Sequence, residues 1–545
     1  MHFLPLLASC ALAGTALARD LNHVRKADGY KFPEPINRRM PKASATGSVP
    51  AQYSQKAQPI VPQNKNTTKF KVDGTTIPDV DFDIGESYAG MLPISAQKNV
   101  SELYFWFFPS ENTEAKDEIL IWLNGGPGCS SLEGLLQENG PFLWQYGTYK
   151  PVKNQWTWKN LTNVVWVEQP AGTGFSKKHG TPSATDEIEV AAQFLGFWKN
   201  FVDTFNLHNR KIYITGESYA GYYVPYIADA MHNQTDTAYY SVESIMFYDP
   251  STSYDVVQGD IPAVPFVDTW SGLFNFNKTF TDHLHQKHEE CGYANFTDVA
   301  FTFPPAGLLP TPPDVGMTDD SCRLFNEIAN AAALTNPCWD IYQVATTCPL
   351  LWDVLGFPGS FDYVPEGATI YFNRTDVQKA INAPIGEWDE CSSGVLDTDN
   401  SPPSGLSVLP RVIEKNTKTI IAHADLDFVL IKNGTIIMIQ NMTWSGAQGF
   451  SKGPGEWNEF YVPYHSELNQ GTLAGAGIFG EWYTERGLTF SSVALSGHMV
   501  PQYAPSAAYR QLEFLLGRID NLGEVSDFTT QTGNYGNSNA TMKVF

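Results

Sequence analysis

The sequence predicts an α/β fold with a mostly parallel central sheet flanked by helices, and two observations support it. Short runs rich in β-branched and aromatic residues recur along the chain, and each ends in a glycine or polar turn, as buried strands do. Segments with apolar residues at helical spacing lie between these runs. Strands that alternate with helices are typical of a sheet covered on both faces.

Six runs are predicted as strands and three longer segments as helices. The strands comprise residues 119–123, 164–167, 212–214, 245–248, 419–423 and 492–495. The helices comprise residues 188–205, 222–231 and 504–516. The alternation breaks between about 265 and 365, where four cysteines, two proline-rich runs and a predicted helix at 322–334 occur. We interpret this stretch as an insertion that caps the sheet and walls a substrate cleft, because such insertions build sites at strand ends.

The first 18 residues have the features of a secretory signal peptide. An apolar run from Phe3 to Ala18 ends in Ala16-Leu17-Ala18, with small residues at the two positions that a signal peptidase recognises. A membrane anchor is the alternative, but the run is shorter than the ~20 residues needed to span a bilayer. We therefore expect a secreted protein without a membrane anchor, with delivery to a vacuole as a second possibility.

The cysteines and the glycosylation sequons agree with an oxidising compartment. Six cysteines remain once Cys10 leaves with the signal peptide, and an even set predicts three disulfides. Four of them, from Cys291 to Cys348 through Cys322 and Cys338, lie close together in sequence, and their pairing stays open among three connectivities. Ten Asn-x-Ser/Thr sequons predict a glycoprotein. The acceptors are Asn66, Asn99, Asn160, Asn233, Asn277, Asn295, Asn373, Asn433, Asn441 and Asn539.

Charge is distributed unevenly along the chain. The formal net charge is −23, which argues against nucleic acid as a partner. Residues 19–70 nevertheless hold ten basic residues against three acidic ones and are rich in Pro, Ser, Gln and Asn. Such a composition predicts an extended or loosely ordered segment. It is either an arm packed on the acidic body or a removable propeptide.

These observations divide the chain into five segments. The predicted boundaries are 1–18 for the signal peptide, 19–70 for the basic arm or propeptide, 71–264 for the first part of the core, 265–365 for the cap insertion, and 366–545 for the second part of the core with a C-terminal tail.

The strand at 212–214 runs directly into a tight turn with Ser218 at its apex. Gly216 and Ala220 flank this serine, and small residues there let a strand and the following helix approach closely. The pattern is that of a nucleophile elbow, which lifts a serine oxygen above a sheet. Glu217 needs a separate explanation, because a carboxylate does not help its neighbouring serine to attack.

A serine nucleophile needs a base and a group that orients the base, and in this type of fold they follow in the order acid, then histidine. His498 lies late in the chain, just after a predicted strand and a glycine. An ordinary loop histidine is the alternative, and the elbow argues against it. Asp425 and Asp427 both follow another predicted strand. The residues alone do not rank the two aspartates, since either could cap the following turn.

A glycine-rich segment, Asn124-Gly125-Gly126-Pro127-Gly128, follows the strand at 119–123. Free backbone N–H groups in such a loop can stabilise a developing oxyanion, typically by ~3 to 4 kcal/mol per donor. A simple turn is the alternative interpretation. The segment is not a phosphate loop, because the required lysine is missing. We expect neither a metal nor a cofactor.

Four separated motifs give the chain a family resemblance. They span residues 122–131, 168–176, 216–221 and 497–501. With these motifs in this order, the chain resembles the serine carboxypeptidases, secreted or vacuolar α/β-hydrolases that remove C-terminal amino acids, and especially fungal carboxypeptidase S1-like enzymes. The similarity extends over about residues 75 to 520. Glu168 is a departure, since many relatives have an aspartate there.

The resemblance implies a role for each matching residue. It makes Ser218 the nucleophile, His498 the base and Asp427 the orienting acid. The residues implied to bind the free C-terminal carboxylate of the substrate are Trp122, Asn124, Glu138 and Glu217. Gly126 and Tyr219 are implied to supply the oxyanion N–H groups, and Cys129 to pair with Cys391.

The resulting hypothesis is a serine-type carboxypeptidase that releases C-terminal amino acids from peptides and proteins through an acyl-enzyme. Acidic conditions should favour it, because glutamates facing a substrate carboxylate must hold protons to bind it. An acyltransferase or esterase on the same scaffold is a second hypothesis, and retention of the carboxylate-binding residues argues against it. A catalytically silent binding protein is a third, and it should have lost part of the triad.

Overall fold

The computed structural model describes residues 60–62, 64–179, 184–356, 364–396, 398–464 and 475–532. The predicted signal peptide, residues 19–59 of the basic arm, residues 357–363 of the insertion and the sequon at Asn539 lie outside this range. Within the described residues, no helix combines the length and the apolar character needed to cross a membrane.

A large mixed sheet forms the centre of the described chain. Its eleven strands follow one another across the sheet in the order β1-β2-β3-β7-β4-β8-β9-β10-β15-β14-β13. The strands are β1 Lys71–Val72, β2 Ser87–Pro93, β3 Glu102–Phe108, β4 Glu118–Leu123, β7 Val164–Glu168, β8 Lys211–Glu217, β9 Val242–Tyr248, β10 Lys418–Ala424, β13 Asn458–Val462, β14 Gly477–Glu485 and β15 Leu488–Val493. Two small ribbons complete the set, β5 Phe142–Leu143 with β6 Val152–Lys153 and β11 Thr443–Trp444 with β12 Ala447–Gln448.

The six central strands, from β7 through β4, β8, β9 and β10 to β15, are parallel. The strands outside them pair in antiparallel fashion on both sides. The α/β-hydrolase fold is therefore confirmed, with the parallel character concentrated at the centre. The carboxyl ends of the parallel strands meet at one edge, where a site is expected.

The predicted strands correspond to β4, β7, β8, β9, β10 and β15 with small shifts in their bounds. The last one differs most, since β15 is Leu488–Val493 and not 492–495. Leu495 lies beyond the strand in a left-handed conformation, with φ of 58°, and is 70% exposed. The other five strands of the large sheet, β1, β2, β3, β13 and β14, were not predicted. After Glu102 the β3 segment consists only of leucine and aromatic residues, and it lacks the β-branched residues that each of the six predicted strands contains.

Helices cover both faces of the sheet. They are α1 Lys65–Thr68, α2 Ser131–Glu133, α3 Glu187–Phe205, α4 Ala220–His232, α5 Asp255–Gln258, α6 Asp260–Thr269, α7 Ser271–Phe274, α8 Lys278–Glu290, α9 Tyr293–Ala300, α10 Leu324–Thr335, α11 Thr375–Ala380, α12 Leu409–Lys415, α13 Lys432–Asn441, α14 Val500–Tyr503 and α15 Pro505–Leu515. Short tighter turns occur at Thr113–Asp117, Trp158–Asn160, Asp320–Cys322, Tyr371–Asn373, Ser404–Leu406 and Thr529–Thr532, and a wider one at Gly134–Glu138.

Strand β4 shows how the two faces arise from the sequence. All six of its residues are buried, because helices cover the sheet on both sides. Ile119 and Ile121 belong to the core that α3 and α4 complete. Leu120 and Trp122 point the other way and belong to the core that α15 completes. Alternate side chains of one strand thus fill two separate cores.

Helices α5 to α10 lie between β9 and β10 in the chain and form a third core. This core also takes in Leu426 and Phe428, which follow β10. Two disulfides, Cys291–Cys322 and Cys338–Cys348, cross-link the segment and resolve the pairing that the sequence left open. The helix predicted at 322–334 is observed as α10, Leu324–Thr335. The expected bond between Cys129 and Cys391 is present as well.

Candidate active site

Ser218 lies in the turn between β8 and α4. Its backbone is left-handed, with φ of 60°, a conformation that costs a non-glycine residue on the order of 1 to 3 kcal/mol. Three hydrogen bonds hold it there: Ser218 N donates to Tyr248 O over 3.0 Å, and Ser218 O accepts from Gly221 N and Ser251 N over 2.9 Å each. The surrounding backbone therefore imposes the strained turn that the sequence predicts.

Two glycines allow this turn. A Cβ atom on Gly216 would lie 2.3 Å from the carbonyl oxygen of Leu123, so no larger residue fits between β4 and β8 at this level. A Cβ atom on Gly125 would lie 2.4 Å from the backbone nitrogen of Tyr219. The backbone of the glycine-rich loop after β4 thus packs in direct contact with the elbow.

His498 and Asp427 form a buried hydrogen-bonded pair. His498 Nδ1 is 2.8 Å from Asp427 Oδ2, and neither residue is more than 2% exposed. Asp427 Oδ1 accepts from the N–H groups of Val429 and Leu430 over 2.8 and 3.3 Å, which fixes the carboxylate. Asp425 instead forms an ion pair with Lys432 over 2.5 Å. The structure therefore distinguishes the two aspartates that the sequence could not rank.

Ser218, Asp427 and His498 follow the parallel strands β8, β10 and β15, so all three lie at the same edge of the sheet. Within the described chain, His498 Nε2 is buried and forms no hydrogen bond, and none joins it to Ser218 Oγ. Burial lowers the pKa of His498, but the negative charge of Asp427, the hydrogen bond to Asp427 and the charge of Asp340 act against burial, and the pKa lies above its usual value.

The two N–H groups expected to stabilise an oxyanion belong to Gly126 and Tyr219. In the part of the chain that the structure describes, neither group donates to an acceptor. Gly126 has φ of 113°, which favours glycine. Since the preceding Gly125 lies against the backbone of Tyr219, the two N–H groups belong to segments in direct contact.

The side chain of Asn124 connects the residues expected to bind a carboxylate. Asn124 Nδ2 donates to Glu217 Oε1 over 2.9 Å and lies 3.3 Å from Glu138 Oε1. Asn124 Oδ1 accepts from the indole N–H of Trp122 over 2.7 Å. The ring of Trp122 is fully buried edge-on against Trp158, with centroids 5.1 Å apart. Trp122 thus fixes which way the Asn124 amide points.

A third glutamate, Glu133, belongs to the same cluster and was not predicted. Its Oε2 lies 3.4 Å from Asn124 Nδ2, and carboxylate oxygens of Glu133, Glu138 and Glu217 lie within 4.8 Å of one another. Its position five residues before Glu138 and five after the glycine-rich loop was the available signal. Three carboxylates could hold a cation, but the amide N–H groups of Asn124 point into their centre and suit a negative group better.

Burial controls the protonation of this cluster. It raises the pKa of Glu138 to about 7, even though hydrogen bonds with Glu217 and Asn124 act in the opposite direction. Burial, followed by the charges of Glu138 and Glu133, raises the pKa of Glu217 well above its usual range. Neighbouring buried carboxyls cannot all ionise, so the cluster retains protons at mildly acidic pH.

The surroundings of Glu168 indicate a structural role. It is fully buried and accepts hydrogen bonds from Ser130 Oγ, from Phe175 N over 2.6 Å and from Trp388 Nε1 over 3.2 Å. Burial raises its pKa to about 7. The residue therefore joins the loop after β7 to the segment next to the Cys129–Cys391 disulfide, and none of these three hydrogen bonds involves the Asn124 cluster.

Comparison with known proteins adds independent findings. A sequence model of the family described as serine carboxypeptidase matches residues 78–517. The chain is 55% identical to a probable serine carboxypeptidase of Arthroderma benhamiae over 535 residues, which cover 96% of this chain and 98% of the relative. It is 45% identical to serine-type carboxypeptidase F of Aspergillus niger, covering 84% of this chain and 88% of the relative.

Among solved structures, the chain resembles Kex1(delta)p of Saccharomyces cerevisiae, a prohormone-processing carboxypeptidase. The TM-score is 0.66 at 23% sequence identity, and the match covers 84% of this chain and 98% of the solved one. At this identity the likeness supports the fold alone.

Proposed function

Because the chain belongs to the serine carboxypeptidase family and is a serine-type carboxypeptidase, we propose that Ser218, His498 and Asp427 are its catalytic triad and that cleavage proceeds through an acyl-enzyme. The support is the order of the three residues, their shared edge of the sheet, and the buried bond from His498 Nδ1 to Asp427 Oδ2.

In the proposed reaction, Ser218 Oγ attacks the carbonyl carbon of the last peptide bond while His498 Nε2 takes its proton. Asp427 stabilises the imidazolium that forms, and Nε2 then protonates the leaving amino acid. An ester to Ser218 remains, and a water molecule hydrolyses it with His498 again as the base. The buried Nε2 without a partner in the described chain supports this role.

The oxyanion of each tetrahedral intermediate is proposed to accept hydrogen bonds from the N–H groups of Gly126 and Tyr219. Both are free of intramolecular acceptors within the described residues. A donor that is already in place when negative charge develops lowers the barrier without reorganisation. Gly125 contributes by allowing the two segments to touch.

One observation carries the assignment of the substrate's chain end. Asn124 Nδ2 is hydrogen-bonded to Glu217, the residue directly before Ser218, and lies next to Glu138. Glu138 Oε2 and Glu217 Oε2 are each buried with no hydrogen-bond partner in the described chain. Protonated, these atoms can donate to the terminal carboxylate of a peptide. We propose that this arrangement admits a free C-terminus and that acidic pH favours it.

The proposal also covers the cap, secretion and glycosylation, which concern residues beyond the active centre. Helices α5 to α10 are proposed as the cap over the cleft; α7 to α10 lie within the segment 265–365 expected from the sequence, whereas α5 and the first half of α6 precede it. The apolar run before residue 18 and the three disulfides support secretion. Asn66, Asn99, Asn233, Asn277 and Asn295 are the exposed acceptors among the described sequons and are proposed as glycosylation sites.

The test uses two peptides of the same sequence, one with a free C-terminus and one amidated. We expect release of the last residue from the free peptide alone, and loss of this activity in Ser218→Ala. Ser241→Ala is the matched control, because Ser241 precedes β9 at the opposite end of the strands from Ser218. Equal cleavage of both peptides would contradict the carboxylate site, and activity in Ser218→Ala would contradict the triad.

A further inference from the structure

A second buried pair, Asp249 and His423, lies directly behind the proposed triad acid. Asp249 follows β9 and His423 is in β10, the neighbouring strand. Both side chains are fully buried, and His423 Nδ1 is 2.8 Å from Asp249 Oδ1. Oxygen and nitrogen atoms of Asp249, His423 and Asp427 all lie within 4.8 Å of one another. Neither member of the pair has a role in the mechanism described above.

The two oxygens of Asp249 have different surroundings. Oδ1 accepts from the backbone N–H of Ala424 over 2.8 Å and lies next to His423 Nδ1. Oδ2 is buried and has no donor in the described chain. Carboxylate oxygens of Asp249 and Asp427 lie within 4.8 Å of each other. Two carboxyl groups can share a hydrogen bond only if one of them carries a proton.

The proton balance places that proton on Asp249. Asp427 accepts from His498 Nδ1 and from two backbone N–H groups, so its surroundings favour the ionised form. Burial, and then the charge of Asp427, raises the pKa of Asp249 well above its usual range. Burial also lowers the pKa of His423 to about 4, which leaves its imidazole neutral and able to donate from Nδ1.

We propose that Asp249 is a protonated positioning residue for the triad, which donates from Oδ2 to Asp427 while His423 and Ala424 hold its Oδ1. It touches no reacting atom and acts through Asp427. The donated bond fixes the orientation of Asp427 and draws part of its charge away from His498. This inference rests on the triad proposed above.

Other charged groups lie near the linked residues His423, Asp249, Asp427 and His498. These groups are the same in every variant considered. Glu217 lies near Asp249, Lys432 near His423, and Asp340 near His498. A change in pH dependence must therefore be measured on a reaction that does not use the Glu138 and Glu217 site. Hydrolysis of p-nitrophenyl acetate meets this condition, because the ester carries no carboxylate.

Asp249→Asn and Asp249→Ala separate the possible roles. Asparagine tolerates the left-handed backbone of this position, where φ is 42°, and its amide can accept at Oδ1 and donate to Asp427 as the protonated acid does. Alanine can do neither. Both variants are compared per active site, counted by stoichiometric inactivation with a phosphonyl fluoride, so that misfolded protein does not enter kcat.

We expect Asp249→Asn to retain kcat within about threefold, with the acidic limb of the pH profile unmoved. We expect Asp249→Ala to lose roughly 10- to 100-fold in kcat with little change in KM, the range that a misplaced catalytic group costs. Its acidic limb should move to higher pH, because a more basic Asp427 stabilises the imidazolium of His498. His423→Ala should also lower kcat and move the acidic limb to higher pH, but both effects should be smaller than in Asp249→Ala.

Three results would overturn the inference. If Asp249 were ionised, both variants would remove a negative charge and move the limb to lower pH. If Asp249 were merely structural, both would lower the melting temperature without moving the limb. If the group held a metal, dialysis of the wild type against a chelator would abolish activity and a divalent ion would restore it. Failure of the triad itself is separate, since it appears as activity in Ser218→Ala.

Discussion

The amide of Asn124 donates to the carboxyl of Glu217 over 2.9 Å, and Glu217 is the residue directly before Ser218. The proposed carboxylate-binding group and the proposed nucleophile are thus joined by one peptide bond. Glu217 ends β8, so the sheet fixes the distance between the two. An exopeptidase needs such a fixed distance, because the scissile bond must lie one residue from the free end of the substrate.

The pKa of Glu138 predicts how substrate affinity depends on pH. Its pKa of about 7 means that Glu138 is protonated at mildly acidic pH and ionised above neutrality, where it repels a substrate carboxylate. We expect KM for peptides to rise as pH increases through 7 while kcat changes less. In Glu138→Gln the amide stays a donor at all pH values, so the rise should become smaller.

Steady-state kinetics between pH 4 and 9 measure this effect, with p-nitrophenyl acetate as the substrate without a carboxylate. Glu133→Gln is the comparison variant within the cluster. A KM that stays constant across this range in the wild type would contradict the proposed role of Glu138.

Trp122→Phe tests the hydrogen bond that orients Asn124. The variant keeps an aromatic ring and removes the indole N–H that donates to Asn124 Oδ1 over 2.7 Å. A single hydrogen bond contributes about 1 kcal/mol net, which corresponds to an increase of about fivefold in peptide KM with kcat little changed. Trp158→Phe is the matched control, since it shortens the ring packed against Trp122 but leaves the bond to Asn124 intact. Equal KM values in the two variants would argue against the orienting role.

Buried acids with raised pKa values also predict how stability depends on pH. Glu138 and Glu168 have pKa values of about 7 in the folded protein against about 4.5 when exposed. Between these values the folded state binds more protons than the unfolded state, so stability falls as pH rises. The contribution is fully present below pH 4.5 and is lost by about pH 7. For Glu138 it is on the order of 3 kcal/mol.

Denaturant unfolding at pH 4.5, 6 and 7.5 measures this dependence. Glu138→Gln should weaken the loss of stability over this interval, because one of the titrating groups is gone. If the variant and the wild type lost stability equally, the raised pKa of Glu138 would be wrong.

Much of the site could be predicted because its residues lie in local patterns. The elbow at Ser218 and the glycine-rich loop are each formed by fewer than a dozen consecutive residues. The choice between Asp425 and Asp427 could not be made in this way, since both follow the same strand. The choice depends on Lys432, which forms an ion pair with Asp425, and on His498, which follows β15 and hydrogen-bonds to Asp427.

The features that sequence reasoning missed arise from contacts between distant segments. Asp249 and His423 are 174 residues apart and meet only because β9 and β10 pair in register. Strand β3 was missed for another reason. It is buried between β2 and β7 and contains no β-branched residue, so it lacks the composition by which the other buried strands were recognised.

Removal of the disulfide between Cys129 and Cys391 should lower both stability and kcat, whereas removal of another disulfide should lower stability alone. The Cys129–Cys391 bond closes a loop of 262 residues and lies beside the glycine-rich loop, where a Cβ atom on Gly126 would be 3.0 Å from Cys129 Sγ. Replacing both cysteines by alanine should lower the free energy of unfolding by about 2 to 5 kcal/mol. It should also lower kcat, because Gly126 N–H loses its fixed position. The matched control replaces Cys291 and Cys322, which cross-link the helical insertion and belong to its own core. The variant without this second pair should lose stability and keep kcat per active site. Equal kcat in both double variants would show that the Cys129–Cys391 bond does not position the glycine-rich loop.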